Sequence, residues 1–354
     1  MRIRGGKIVA VGGAVLTALA LAACGSSGTT ATGSGSGSLS GTLNGSGSTF
    51  QQVFQQQAIS SFKSVQPSMT VNYGAGGSGK GRTDLASGVV NYAGSDAPIP
   101  ASEAANFNGK TVLYFPVVIG PITMSYNLSS VSKLQLSAPV IADMFQGKIT
   151  NWNDPAIKAD NPGVSLPNEP ITLAVRSDSS GTTQNFSLFL EKAAGSAWAL
   201  GSSSTISWPS TARAGSGNGG VAQIVKSTPG AIGYVDYADA KASGLKFASV
   251  KNPDGKFIAP SPSSASAAAD GVSVQPNLTF FSAWAPGANA YPITYQSWIL
   301  VNQAQPNKND TKMLQAYVGY LVGSGQSMLS QLGYAPLPSK IDSMAKAQLS
   351  KIGS

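Results

Sequence analysis

The sequence predicts an α/β fold, because segments with the pattern of strands end in Gly- and Ser-rich loops that lead into amphipathic helices. Two segments show this order clearly. Alternating apolar residues run from Met69 to Tyr73 into a glycine-rich loop, and from Ile171 to Val175 into Arg176 and a polar loop. The chain has 354 residues, 42% of them hydrophobic, so it can build the cores of two ordinary domains.

The other elements follow from the same patterns. Apolar residues at a 3.6-residue period predict a first helix, which we expect Ser48 or Thr49 to cap. A largely apolar run over 111–119, which contains Pro116, predicts a strand followed by a crossover. The Ser- and Ala-rich residues 261–269 read as an exposed loop. Further helices are expected after residue 180, around Val221 to Val225 and over 313–321, opened by Asn309 or Asp310, and further strands over 231–235 and 298–301.

The first 40 residues have the pattern of a targeting segment followed by a tether. Arg2, Arg4 and Lys7 precede an uncharged apolar run, which predicts a secretory signal peptide over residues 1–23. The run ends at Cys24, the only cysteine, behind two small residues, and this arrangement resembles the lipobox of bacterial lipoproteins. We therefore expect acylation of Cys24, for example by palmitate, and a flexible Gly/Ser linker over 24–40. An uncleaved anchor with an incidental cysteine is the other interpretation.

The composition excludes several kinds of chemistry. The chain has no histidine, so neither a Ser-His-Asp triad nor a histidine metal site can form, and we expect no metal and no cofactor. The formal net charge is +8, but the basic residues are scattered, which argues against nucleic-acid binding. A Ser180 nucleophile with Lys80 as base stays open, although their spacing does not favour it. We expect a binding protein rather than an enzyme.

Four segments place small residues, hydroxyls and backbone N–H groups where a strand gives way to a helix. The first N–H groups of a helix lack intrahelical acceptors, and the helix dipole adds partial positive charge, so such ends bind anions such as phosphate. Each segment alone could equally be an ordinary cap, turn or loop. The segments are GSGSTF at 45–50, GAGGSGKG at 74–81, NYAGSDAPIP at 91–100 and VRSDSSGTTQNF at 175–186.

The fourth segment carries the strongest signal. Arg176 leaves a strand shortly before Ser180, Gly181 and Thr182 enter a helix. A guanidinium matches two phosphate oxygens with its planar fork, and the neighbouring hydroxyls and N–H groups add donors. Asp178 can orient Arg176 through an ion pair. A structural loop with a salt bridge is the alternative.

Nine short motifs follow one another between residues 41 and 345. They are GSGSTF, YGAGGSGKG, AGSDAP, FPVVIG, GKITNWNDPAI, RSDSSGTTQNF, SGNGGVAQIVKSTPGAIGYVDYA, YPIT and LGYAPLP. Together they resemble the phosphate-binding lipoproteins of the bacterial phosphate-specific ABC importer. The resemblance implies a two-domain periplasmic-binding-protein-like fold (type II) with ligand in the interdomain cleft, domain I being 41–118 plus 293–354 and domain II 119–292. Gly77, Lys80 and Ser179 depart from the family's usual residues.

The resemblance also implies a set of phosphate contacts. Asp96 would accept a proton of the ligand, and Phe50 would contribute its backbone N–H. Near neutral pH phosphate keeps at least one proton whereas sulfate has none, so Asp96 would favour phosphate over sulfate. The implied contacts are Thr49, Phe50, Ser78, Asp96, Arg176, Ser180, Gly181 and Thr182.

The expected function is capture of inorganic phosphate at the outer face of the cell membrane. A monomer anchored through Cys24 would deliver the phosphate to the permease subunits of an ABC-type importer. A phosphate-binding lipoprotein for sensing or adhesion is the alternative. A receptor for molybdate or sulfate is another, against which Asp96 argues.

Overall fold

Strands alternate with helices through the chain in a computed structural model that describes residues 39–354. The predicted signal peptide, Cys24 and the linker up to residue 38 lie outside these residues. The strands are β1 (Gly41–Gly47), β2 (Met69–Ala75), β3 (Tyr92–Ser95), β4 (Val112–Tyr126), β5 (Gln135–Leu136), β6 (Thr172–Arg176), β7 (Arg213–Gly215), β8 (Ala231–Asp236), β9 (Lys246–Lys251), β10 (Phe257–Ile258) and β11 (Thr294–Asn302).

The helices confirm the alternation that the sequence predicts, including those after residue 180 and around Val221. Most bury one apolar face against the sheet. The α-helices are α1 (Gln52–Phe62), α2 (Ser78–Ala86), α3 (Ala101–Ala104), α4 (Ala138–Phe145), α5 (Pro155–Asp160), α6 (Gly181–Ala193), α7 (Gly217–Ser227), α8 (Tyr237–Ala242), α9 (Pro262–Ala269), α10 (Lys308–Leu321) and α11 (Ser339–Gln348).

The strands form one sheet in the order β2-β1-β3-β11-β4-β8-β6-β7, with β9 also beside β4. We call β2, β1, β3, β11 and residues 112–121 of β4 the first half of the sheet, and residues 122–126 of β4 with β8, β6 and β7 the second half. Strands β1 to β3 run in the direction of β4, whereas β6 to β8 run against it. Because β4 runs from the first half into the second, the carboxyl ends of both sets meet between the halves, where α/β sheets bind ligands.

Strand β4 is the connection between the two halves. It pairs with β11 as far as Pro121 and with β8 from Ile122 onwards. The predicted strand at 111–119 is confirmed, but the prediction that it gives way to a crossover is wrong, because the strand itself continues to Tyr126. Pro116 is tolerated because its partner is Trp298, beside a β-bulge at Val117 of β4 where the ladder is already irregular.

Two further local predictions are wrong. Residues 261–269 are not an exposed loop: Ser261 caps α9 through a reciprocal pair of bonds with Ser264, and Ala residues form its buried face. A Ser/Ala composition looks like a loop, but Ala is the best helix former and Ser-Pro is a favourable helix start. Helix α10 begins at Lys308 with Asn307 as its cap, earlier than Asn309 or Asp310.

The first helix also starts later than predicted. Residues 49–51 form a turn, α1 begins at Gln52, and its N-cap residue Gln51 makes no side-chain capping bond. Ser48 Oγ accepts only a long bond of 3.4 Å from the Gln51 N–H. Phe50 therefore lies in the turn, where its ring packs against Tyr295 with centroids 4.2 Å apart. Aromatic packing thus fixes the loop that follows β1.

Candidate anion-binding site

The four predicted loops meet between the two halves of the sheet. Ser78 Oγ lies 3.3 Å from Asp96 Oδ2, which joins the second and third loops. A Cβ atom on Gly181 would lie 2.5 Å from Ser78 Oγ, so the fourth loop is packed directly against them. Thr49 belongs to the same set of contacts through Asn218, which links it to the fourth loop. The structure therefore brings the predicted residues together.

Asp96 is a buried carboxylate at the end of β3, with 1% of its surface exposed. Its Oδ1 accepts hydrogen bonds from Ser48 Oγ and Ser297 Oγ, both at 2.5 Å, and its Oδ2 accepts the bond from Ser78. Burial raises the pKa of the Asp96 carboxyl above its ordinary value, although these hydroxyls and the charge of Arg176 oppose the shift. The two hydroxyls on Oδ1 fill its lone pairs, so Oδ2 retains acceptor capacity.

Arg176 ends strand β6 with its side chain 1% exposed. Its Nε donates to Asp178 Oδ1 at 2.8 Å, and Nη2 donates to Asp178 Oδ2, so the predicted ion pair is bidentate. Burial alone would raise the pKa of Asp178, but the hydrogen bonds and charge of Arg176 hold that pKa below its ordinary value. Nη1 faces Thr182 Oγ1 at 3.4 Å. The guanidinium is therefore fixed in one orientation beside the start of α6.

The start of α6 presents backbone donors at this place. Ser180 is the N-cap: its Oγ accepts the Thr183 N–H at 3.1 Å, and its own N–H donates to Ser204 O at 2.9 Å. A neighbouring loop therefore uses the N–H of Ser180, while its hydroxyl proton stays available. Gly181 and Thr182 form the first turn of α6, where N–H groups have no intrahelical acceptor.

The loop after β1 also presents backbone N–H donors. Among the hydrogen bonds of the described residues, none uses the N–H of Thr49 or Phe50. Thr49 Oγ1 accepts bonds from Asn218, and Tyr334 OH donates to Phe50 O at 2.6 Å. Both backbone donors are therefore held in place by contacts on either side of them.

Two of the residues that depart from the family's usual ones, Gly77 and Ser179, make close contacts across the cleft. Gly77 has φ +91°, and a Cβ there would lie 2.3 Å from Asp178 Oδ2, so only glycine fits. Gly79 N donates to Ser179 O at 3.0 Å, and a Cβ on Gly79 would lie 2.1 Å from Ser179 Oγ. Lys80 points elsewhere, since its exposed ammonium pairs with Asp84 at 2.8 Å. That ion pair removes Lys80 as a base for Ser180.

Sequence reasoning missed several residues of the site. Ser297 and Ser48 hold Asp96, Asn185 Nδ2 donates to Asp96 O at 2.6 Å, and Asn218 contacts Thr49 and Thr182. Asn218 lies within the SGNGG motif, and this position was a usable signal. Ser297 lies 201 positions after Asp96, on a strand with no distinguishing pattern.

A second buried carboxylate, Asp236, lies at the end of β8. Its N–H donates to Asn218 Oδ1 at 3.3 Å, and its Oδ1 caps α8 by accepting the Asp239 N–H. Burial and the charge of Asp239 raise the pKa of Asp236 well above its ordinary value. Among described side chains, Asp236 Oδ2 has no hydrogen-bond partner.

Residues 39–354 contain no group of three or more His, Cys, Asp or Glu residues arranged to hold a metal ion. None of their helices combines the length and apolar character that crossing a membrane requires.

The chain is similar to several known proteins. A family model described as the PBP superfamily domain matches residues 32–324. The phosphate-binding protein PstS3 of Mycobacterium bovis (strain BCG / Pasteur 1173P2) is 34% identical over 364 residues, covering 97% of this chain and 98% of that protein. The phosphate-binding protein PstS of Haemophilus influenzae is 35% identical over 284 residues, covering 78% and 84%.

The fold is also found among solved structures. A high affinity periplasmic phosphate-binding protein, PfluDING, whose structure has bound phosphate, superposes with a TM-score of 0.72 at 21% identity, covering 87% of this chain and 94% of that one. The matched family model, together with a sheet in two halves, defines a solute-binding protein of the periplasmic type. The chain belongs to the PstS family of phosphate-binding proteins. This is a family of binding proteins and not of enzymes, and the predicted two-domain α/β fold is confirmed.

Proposed function

We propose that this chain binds inorganic phosphate outside the cytoplasm and delivers it to an ABC-type importer. The observation that carries the proposal is the pairing of Asp96, a buried acceptor, with donors from both halves of the sheet. An anion that still bears a proton satisfies both kinds of group, whereas a fully deprotonated anion places its oxygen against the Asp96 carboxylate. Phosphate near neutral pH is such a protonated oxyanion.

Each predicted contact has a role in this proposal. Asp96 Oδ2 accepts the proton of the phosphate, and Arg176 donates to its oxygens. Backbone N–H groups and hydroxyls complete the cage without adding a full positive charge. The proposed phosphate ligands are Thr49, Phe50 through its N–H, Ser78, Asp96, Arg176, Ser180 through its hydroxyl, Gly181 and Thr182.

Two domains would close over the ligand. We place domain I at residues 41–118 plus 293–354 and domain II at 119–292, and the change of neighbours along β4 between Pro121 and Ile122 supports this division. The hydrogen bond from Gly79 N to Ser179 O joins the two domains, so it forms only when they approach each other. Phosphate contacts both domains and so favours the closed state, which the permease subunits of the importer recognise.

The protein would act as a monomer held to the membrane by acylated Cys24, with the linker over 24–40 allowing movement. The basic, apolar and small-residue pattern before Cys24 supports this anchor. Replacing Cys24→Ala should release the protein from the membrane fraction without changing its affinity for phosphate. Retention of this variant in the membrane fraction would argue for an uncleaved anchor.

Transport is tested by uptake of radiolabelled phosphate in cells that lack the gene. We expect the unsubstituted chain to restore uptake at low phosphate concentration and the Arg176→Met variant to fail. A sensing or adhesion lipoprotein would bind phosphate equally well, yet its deletion would leave uptake unchanged. That result would overturn delivery to an importer while leaving phosphate binding intact.

A further inference from the structure

Asn218 is a buried residue of the cleft. It takes no part in the Arg176–Asp178 or Lys80–Asp84 ion pair, and it is not one of the predicted phosphate ligands. It is the second residue of α7 and has no exposed surface. The N-terminus of this helix is not free for an anion, because Gly217 N donates to Asp178 Oδ1 at 3.0 Å and Asn218 N donates to Thr49 Oγ1 at 3.3 Å. Protein acceptors therefore use these first donors of α7.

The amide of Asn218 has only one orientation that satisfies its neighbours. Its Oδ1 accepts the Asp236 N–H at 3.3 Å, and a backbone N–H can only donate. Nδ2 must then face the opposite side, where it lies 3.1 Å from Thr49 Oγ1 and 3.3 Å from Thr182 Oγ1. One side chain thus donates to a hydroxyl from each half of the sheet.

These bonds determine whether the hydroxyls of Thr49 and Thr182 donate or accept a hydrogen bond to a ligand. A hydroxyl has one proton and two acceptor lone pairs. Thr49 Oγ1 receives the backbone N–H and the Nδ2 of Asn218, whereas Thr182 Oγ1 receives Asn218 Nδ2 and Arg176 Nη1 at 3.4 Å. The acceptor positions of both oxygens are therefore filled, and each hydroxyl can only donate.

We propose that Asn218 is a positioning residue that holds the hydroxyls of Thr49 and Thr182 as donors toward the bound phosphate. The inference rests on the proposed function and deepens it. Phosphate oxygens then meet donors at both threonines, and Asp96 is left as the carboxylate acceptor that takes the ligand's proton. Thr49 and Thr182 lie on different halves of the sheet, so Asn218 can contact both only when the cleft is closed. The orientation of the two hydroxyls therefore depends on closure.

A purely structural role for Asn218 predicts something different. In that case its loss weakens phosphate binding by loosening the contact between the halves, whatever stands at positions 49 and 182. A role through the hydroxyls requires the hydroxyls to be present. A double-mutant cycle separates these two cases, because it measures whether the effects of neighbouring substitutions add.

The test measures phosphate affinity by calorimetry on the full chain and on variants in two backgrounds. In the unsubstituted background, Asn218→Ala should weaken phosphate binding about 10-fold, the order expected for losing the alignment of hydrogen bonds to a charged ligand. In a Thr49→Val and Thr182→Val background, which keeps the side-chain shapes without hydroxyls, the same change should cost less than about 3-fold. If Asn218→Ala does not fold, Asn218→Asp takes its place, with a larger loss expected beside threonine than beside valine.

Asn309→Ala is the matched control, because Asn309 is the second residue of another helix, α10, and is exposed. It should leave phosphate affinity unchanged. Equal losses on replacing Asn218 in both backgrounds would overturn the positioning role while phosphate binding by the unsubstituted chain stands. Failure of the unsubstituted chain to bind phosphate would overturn the proposed function, and this inference with it.

Discussion

The first half of the sheet contributes a carboxylate surrounded by hydroxyls, whereas the second half contributes a guanidinium beside the start of a helix. Asp96 accepts from Ser48, Ser78 and Ser297, all neutral donors. Arg176 is paired with Asp178, so its positive charge is already balanced within its own half. In the proposed function, the positive charge that attracts the anion therefore comes from the second half, and the carboxylate that selects the anion by its proton comes from the first half.

The two aspartates of the site show how neighbours decide a carboxyl's behaviour. Burial raises the pKa of Asp96, because hydroxyls and a more distant Arg176 only partly compensate for lost hydration. The pKa of Asp178 is lowered despite burial, because Arg176 bonds it directly. Two aspartates on opposite sides of one cleft therefore have pKa values shifted in opposite directions.

The largest expected effect is that of Arg176→Met, which removes the cation and leaves Asp178 unpaired beside the ligand. Losing one partner of a buried charge pair costs about 2–5 kcal/mol, roughly 30-fold or more in affinity. Isothermal titration with phosphate measures the loss. Arg213→Met, at an exposed arginine whose side chain donates to Thr228 Oγ1, is the matched control and should bind normally. Near-normal affinity of Arg176→Met would contradict the holding role of the second half.

The next effect concerns selection by the first half. Asp96→Asn keeps the shape of the side chain but lets it donate, so sulfate loses its misfit. We expect the preference for phosphate over sulfate to fall on the order of 10- to 100-fold, the range for hydrogen bonds to charged groups. Competition calorimetry measures the ratio, and Asp254→Asn, at an exposed loop, is the control. An unchanged ratio would remove Asp96 from selection.

A smaller effect should follow from blocking the contact between the halves. A Cβ on Gly79 overlaps Ser179, so Gly79→Ala opposes closure and should weaken phosphate binding by about 1–2 kcal/mol, roughly 5- to 30-fold. Gly219→Ala is the control, because nothing lies within 4 Å of a Cβ there. Small-angle scattering should show that phosphate no longer compacts the Gly79→Ala variant fully. If the Gly79→Ala variant closes and binds phosphate normally, the Gly79–Ser179 contact is not part of the closed state.

The smallest effect is a pH dependence of opposite sign for the two aspartates. The folded pKa of Asp96 is raised, so its contribution is fully present below the unfolded pKa of about 3.9 and is lost as pH rises through the folded value. The folded pKa of Asp178 is lowered, so its contribution is present above about 3.9 and is lost as pH falls through the folded value. Each effect amounts to about 1.4 kcal/mol per pKa unit.

Denaturant unfolding in phosphate-free buffer measures this pair of effects through the variants Asp96→Asn and Asp178→Asn. Relative to the unsubstituted chain, Asp96→Asn should gain stability as pH rises above about 4, whereas Asp178→Asn should lose stability as pH rises toward about 4 and then stay level. Parallel curves for the two variants would show that the neighbours of the two carboxyls do not differ as described.

The elements that the sequence predicts well are those with a local signal. Alternation before Arg176 and helical periodicity after it are visible within about 20 residues, and the glycine- and hydroxyl-rich strand ends mark where an anion can bind. Helix α9 was missed because its Ser/Ala composition carries no amphipathic pattern, and its buried face consists of alanines. Its place in the fold comes from packing against the sheet.

The residues around the ligand set could not be predicted because their partners are distant in the chain. Ser297 contacts Asp96 across 201 positions, and Asn218 contacts Thr49 across 169. The pairing of β11 with β3 and the course of β4 from one half into the other bring these residues together. A distant partner also explains why Ser48 does not cap the first helix as predicted. Its hydroxyl donates to Asp96, 48 positions further along the chain.

The most direct test of selection by a proton-accepting carboxylate is equilibrium binding of radiolabelled phosphate to the full chain with sulfate as competitor. We predict saturable binding of phosphate that a large excess of sulfate at neutral pH does not displace. Displacement of phosphate by sulfate at comparable concentrations would contradict the role of Asp96, and the absence of phosphate binding would contradict the account as a whole.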